Sequence, residues 1–236
     1  MEKIEITNII HWCNVNSGFL SLVLFIATFI LGWVSGFFKS IIISPKFRIE
    51  KLEQCTFCTI IDLNETYNDL PVHKTAFVVY LNVSNIGNIS SSIHKVELGY
   101  YKADFKTKFC SKRRWVKQTI SKEDFKIELP DSDKLKVYPF LTQRNQLYSK
   151  EVDTFLEVGK QITGVAYFEE YEAYGNLMPR LENNDLVDIE VKIHDVFGNK
   201  FCQKMKIKYV KPLEALKYNS YFGQTYKEYV KSNKKK

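Results

Sequence analysis

The amino-acid sequence predicts a mainly β chain in which one N-terminal transmembrane helix precedes an immunoglobulin-like antiparallel β-sandwich of about seven strands. Three observations carry this prediction. Phe19 to Phe38 contains no charged side chain, apolar and polar residues alternate at period two through much of the remainder, and clusters of turn-forming residues separate the alternating runs.

Five parts follow in order: a short N-terminal segment at 1–18, the membrane span at 19–38, a juxtamembrane linker at 39–45, the sandwich at 46–210 and a basic, partly helical tail at 211–236. Of the 236 residues, 45% are apolar and 26% charged, ordinary values for a chain that buries a core. About 200 residues remain outside the span, enough for one sizeable domain.

The span reads FLSLVLFIATFILGWVSGFF. At 1.5 Å per residue such a helix is about 30 Å long, the thickness of a bilayer core. Its hydroxyl residues Ser21, Thr28 and Ser35 can donate to carbonyls of their own helix, which keeps them cheap in lipid. Trp33 suits the interface. A cleaved signal peptide wants a basic start and a small-x-small site. Here Lys3 is balanced by Glu2 and Glu5, and the far end reads Gly36-Phe37-Phe38-Lys39, so the expectation is a retained anchor.

Lys39, Lys46, Arg48 and Lys51 follow the span and only Lys3 precedes it. Positive charge favours the cytoplasmic side, which places the N-terminus outside and the domain inside, at the plasma (inner) membrane. The sequons at Asn64, Asn82 and Asn88 point the other way in a eukaryotic secreted protein, but a chain this rich in asparagine produces them by chance. Thr28, Gly32, Gly36 and Ser40 recur every four residues, a small-residue stripe that lets two helices approach closely. Self-association through this helix is therefore expected.

Strands are expected at Phe47 to Ile61, at Phe77 to Val83, around Val96 to Tyr100, at Phe109 to Gln118, at Ile162 to Phe168, and in a hairpin joining Val187–His194 to Phe201–Tyr209 through Asp195-Val-Phe-Gly-Asn199. The segment from Leu129 to Gly159 reads as a long connection with an edge strand at Leu135 to Phe140. Ser121-Lys-Glu-Asp resembles a local helix cap, and Leu213 to Leu216 follows Pro212 as a short helix should.

The formal charge is +7, yet seven lysines against Glu214 and Glu228 place +5 of it after residue 210. The body is nearly neutral, so nucleic acid is not an expected partner. Lys112-Arg113-Arg114-Trp115 with Lys117 forms a basic surface candidate beside an aromatic; a lysine-guarded strand edge is the plainer reading. The tail interleaves tyrosines with lysines, as a lipid-touching or simply solvated terminus does.

Catalytic signatures are absent. Cys55-Thr-Phe-Cys58 lacks a second ligand pair for zinc and a βαβ setting for redox chemistry. His194-Asp195 lacks the further histidines and aspartates that a metal-dependent hydrolase needs. Asp195-Val-Phe-Gly has no kinase company. Glu169, Glu170, Glu172 and the acidic run from Asp185 to Glu190 fit exposed strand and turn positions. Five cysteines scattered without framework spacing argue against a disulfide-stapled module. The expectation is a non-enzyme with no cofactor and no metal, whose partners are the lipid bilayer, its own copies and an unidentified protein or small ligand. It would serve as a membrane-anchored recognition or scaffold protein. The alternative is an oligomeric membrane effector of a bacterial defence type, in which sensing by the soluble domain makes the helices perturb the bilayer.

Overall fold

The computed structural model describes residues 8, 11–37, 44–103, 113–121, 123–128, 134–142, 153–182 and 184–223. They divide into two units, 1–44 and 45–236.

In the first unit, α1 runs over Ser17–Val34. Its mean hydropathy is 2.2 and none of its residues is buried; by length and composition it is apolar enough to cross a membrane. All three hydroxyls behave as expected, and Ser35 Oγ donates to Gly32 O at 3.2 Å. Ser21 Oγ donates to Ser17 O (2.8 Å) and Thr28 Oγ1 to Leu24 O (2.7 Å). The helix ends four residues before Phe38 because Gly36 takes a left-handed φ of +75°, a conformation that glycine adopts without a Cβ penalty. Its N–H turns back to Trp33 O at 3.2 Å.

The second unit is built from strands. In chain order they are β1 (Phe47–Tyr67), β2 (Leu70–Asn85), β3 (Ser91–Tyr100), β4 (Arg114–Lys117), β5 (Phe125–Glu128), β6 (Leu135–Tyr138), β7 (Phe155–Leu156), β8 (Gln161–Tyr174), β9 (Leu181–Glu182), β10 (Leu186–Asp195) and β11 (Lys200–Tyr209); the short helix α2 (Pro212–Ala215) follows. The main sheet has the order β4-β3-β10-β11-β1-β2-β8, with β7 added to β3 and β9 to β10, and β5 pairs with β6 separately.

This is a mainly β domain, but it departs from the expected immunoglobulin-like sandwich in two respects. Strand β1 pairs in parallel with β11, at Phe57↔Lys208 and Cys58↔Tyr209. Instead of two facing antiparallel sheets there is a mixed main sheet beside the small β5–β6 sheet; among the described residues an isolated bridge joins Gln118, just after β4, to Phe168 of β8. Two bulges interrupt β1. The register slips between Leu52 and Phe57 and again between Asp62 and Glu65, where Cys55 (φ +55°) and Asn64 (φ +53°) occupy left-handed backbone; such insertions increase local twist.

Alternation predicts the buried face correctly. Phe77, Val79, Leu81 and Val83 of β2 enter one core with Val187, Ile189, Val191 and Ile193 of β10. The opposite face of β2 is buried too. Ala76 and Val78 join Phe57, Val165 and Tyr167 in a second core, closed by Phe125, Tyr138, Phe140, Ala215 and Phe222. The expected edge strand within Leu135 to Phe140 is β6, and it helps to form this cover. The expected short helix after Pro212 is α2, and residues 211–223 pack down rather than fray: Asn219 is 1% exposed and donates to Ser121 Oγ and Glu123 O. Ser121 starts no helix. Its hydroxyl donates to Glu123 O at 2.8 Å and the chain enters β5.

Turn chemistry follows local rules. Asn68 (φ +49°) and Asp69 (φ +62°) supply the two left-handed positions that a tight hairpin between β1 and β2 needs.

Candidate functional site

The period-two pattern that buries one side of β10 turns Asp188, Glu190, Lys192 and His194 to its other side. There they meet the outward residues of β3, β4 and β11. The register puts Asp188 opposite Lys206, Glu190 opposite Lys204, and Lys192 opposite Glu97, cross-strand pairs of opposite sign that favour this alignment. Side chains close several of them. Arg113 Nη1 lies 2.5 Å from Glu190 Oε2, Lys206 Nζ lies 2.6 Å from Glu182 and 3.7 Å from Asp188, and His194 Nε2 lies 2.9 Å from Glu97. Lys95 also pairs with Glu97. Burial pushes the Glu97 carboxyl up, but hydrogen bonds and charge from Lys95 and His194 win and hold it below the ordinary carboxylate range. Trp115 covers Gly99, and Lys192 Nζ sits 3.4 Å from its ring centre.

At one side of this face a cleft of about 370 Å³ opens between Tyr101, Arg113, Arg180, Lys204 and Lys206, with Glu182, Asp188, Ile189 and Met205 completing its wall. Arg113 stacks on Tyr101, 4.6 Å from the ring centre, which fixes its guanidinium at the mouth. Four cations face two carboxylates. Glu190 pairs with Arg113, and Lys206 is shared by Glu182 and Asp188. Planar guanidinium groups over an apolar floor suit a carboxylate or phosphate group carried on an apolar or aromatic body.

The residues singled out in the sequence fall as follows. Arg113 lines the cleft. Arg114 is bound to Glu170, and Lys117 is exposed at the end of β4; Lys112 lies outside the described residues. Thr28 and Gly32 are within α1, Gly36 follows its end and Ser40 lies outside the described residues. Cys55 and Cys58 are buried in different cores. Burial raises both thiols, that of Cys58 to about 12, which favours the neutral side chain that packs as a small hydrophobe. Asp195 is 1% exposed and ties the hairpin turn. It accepts from Phe197 N (3.0 Å), Asn199 N (2.8 Å) and Asn199 Nδ2 (2.8 Å), while His194 points to Glu97 instead. Glu169 faces Lys74 at 3.7 Å. Among the described residues no three histidine, cysteine, aspartate or glutamate side chains group as a metal site.

Sequence reasoning missed Tyr101, Arg180, Lys204 and Lys206. A signal existed for two of them: Lys200, Lys204, Lys206 and Lys208 share the outward period of β11. Nothing in spacing connects these to Arg113 or Arg180.

No family model matches this chain, and no curated protein matches it. Solved structures resemble it weakly, two of them as follows. One is a Bordetella pertussis structure carrying the ApaA designation, 7% identical, TM-score 0.27, covering 71% of this chain and 96% of the other. The second is the Northeast Structural Genomics target SoR45, 6% identical, TM-score 0.27, covering 70% of this chain and 85% of the other. Likeness at that level carries no argument about fold or function.

Proposed function

We propose that this chain is a non-enzymatic, single-pass membrane-anchored recognition or scaffold protein. In this reading α1 is the anchor, the N-terminus is outside, the β domain is in the cytoplasm, and the cleft at Arg113 receives a protein segment or ligand bearing carboxylate or phosphate groups. The observation that carries the reading is the convergence of Arg113, Arg180, Lys204 and Lys206 from three separate stretches of chain on one cleft with Tyr101 and Met205. Ion pairs hold Arg113 and Lys206 in place, so less side-chain freedom is lost when an anion docks.

The test is retrieval of partners by the full-length protein from membranes of its own cells, comparing wild type with Lys204→Glu. A partner whose retention drops about tenfold with the variant supports the reading. A partner held equally by both, or hydrolytic or transferase turnover abolished by a point substitution, overturns it. Orientation has its own assay. Cys202 is exposed, so labelling of Cys202 in intact cells by an impermeant thiol reagent would reverse the assigned topology.

Thr28 and Gly32, one turn apart in α1, favour a second reading, the oligomeric membrane effector. Its support is narrower than a stripe through Ser40 would give, because the left-handed Gly36 follows the helix end. Dye leakage from liposomes that disappears with Gly32→Leu would favour it; leakage that persists would remove the role of helix packing.

A further inference from the structure

One end of the β domain carries a rim of exposed apolar side chains drawn from separate loops. Ile86 (52% exposed), Phe155 (52%), Val158 (50%), Val196 (55%) and Phe197 (63%) stand there. Backbone hydrogen bonds assemble them. Asn85 N donates to Lys160 O, Gly159 N to Asn85 O, Ile86 N to Lys46 O and Val196 N to Ser92 O, while β7 pairs with the first residues of β3. The buried Asn85 side chain clamps the end together. Its Nδ2 donates to Ile89 O (2.8 Å) and Leu156 O (3.1 Å), and its Oδ1 accepts from Gly87 N at 3.0 Å.

Loop tips are ordinarily polar, and five large apolar residues gathered on one rim mark a surface that meets something apolar. This is also the end at which β1 begins: Phe47 pairs with Asn85 and packs on Phe201 with ring centres 4.8 Å apart. Ten residues, 37–46, separate Gly36 from Phe47. A chain of that length spans at most about 35 Å, and it joins the domain at the end that carries the rim. Lys46, Lys160 and Lys200 are exposed beside the rim, against Asp153 and Glu157. Apolar tips among lysines match the acyl boundary and headgroups of an anionic leaflet.

We propose that this rim is a second membrane contact, in which Ile86, Phe155, Val158, Val196 and Phe197 enter the interfacial layer of the bilayer that α1 spans. The proposal rests on α1 being a membrane anchor.

The test places a photo-crosslinking phenylalanine analogue at position 197, at position 33 or at position 213 of the full-length protein, reconstituted in phosphatidylcholine–phosphatidylglycerol vesicles. Position 33 lies within α1 and reports the anchor. Leu213 is 81% exposed, follows β11 in α2 and serves as the control. The expected result is lipid adducts at 33 and 197 and none at 213. Adducts at 33 without any at 197 overturn the rim contact and leave the anchor standing. Absence at both positions overturns the anchor and the rim together. An adduct at 197 to a second copy of the chain, in place of lipid, also overturns the proposal.

Discussion

The ammonium nitrogen of Lys192 lies 3.4 Å from the centre of the Trp115 ring, and the same indole covers Gly99, where a β-carbon would come within 3.1 Å of it. Three strands, β3, β4 and β10, are thereby tied at one exposed point. Lys192→Ala should cost about 1 kcal/mol, the worth of a cation over indole at a partly exposed site. Gly99→Ala, which pushes the indole aside, should remove part of the same contact. The double variant is then expected to lose less than the sum of the singles in urea unfolding; strict additivity would show that the contact contributes nothing.

Gly164 in β8 lies under the backbone of the segment that leaves β6. A β-carbon there would stand 2.4 Å from Leu141 Cα and 2.5 Å from Leu141 N, and two backbone hydrogen bonds, Val165 N to Pro139 O and Leu141 N to Val165 O, hold the two strands at that distance. Backbone cannot rotate away as a side chain can. Gly164→Ala is expected to destabilise the domain by about 3 kcal/mol or to abolish soluble expression. An unchanged thermal midpoint would show that this close approach is absent.

Asp195 replaces missing ladder bonds at the hairpin turn with four side-chain acceptances, the fourth from Ser91 Oγ at 3.3 Å. Because the carboxylate is buried, Asp195→Ala strands several donors at once, and about 3 kcal/mol of destabilisation is expected. Hydrogen exchange should quicken first at Phe197 and Asn199. Retention of their protection in the variant would contradict the assignment of Asp195 as the tie.

His73 is buried in β2, and its Nε2 has no hydrogen-bond partner among the described residues. Burial lowers its pKa below the ordinary 6.5, with the Pro71 backbone and the Asp62 charge opposing. The folded state therefore binds fewer protons than the unfolded state once pH falls below about 6.5. Stability contributed by the neutral ring is complete above that value and is lost as pH drops through it. The depressed Glu97 adds a separate loss only below the ordinary carboxylate range. Urea midpoints measured between about pH 7.5 and 5.5 should fall for wild type and stay flatter for His73→Phe; identical slopes would assign the acid loss elsewhere.

The sequence by itself determined the apolar N-terminal helix, the alternation that buries Phe77, Val79, Leu81 and Val83, the β10–β11 hairpin and the short helix after Pro212. Each depends on neighbours in the chain: periodicity sets which side a residue faces, and turn residues such as Asn199 act within a few positions. It also read His194-Asp195 as a strand end entering a turn, because one adjacent pair makes no catalytic site. Only the tertiary structure decided that β1 runs parallel to β11, that β5, β6, Phe140 and residues 211–223 close a second core over β2, and that Arg113, Arg180 and Lys204 share one cleft. The physical reason is the same in each case. Strand neighbours and convergent side chains are chosen by burial and hydrogen bonding between segments tens to hundreds of residues apart, which leaves no period or spacing in the sequence to read.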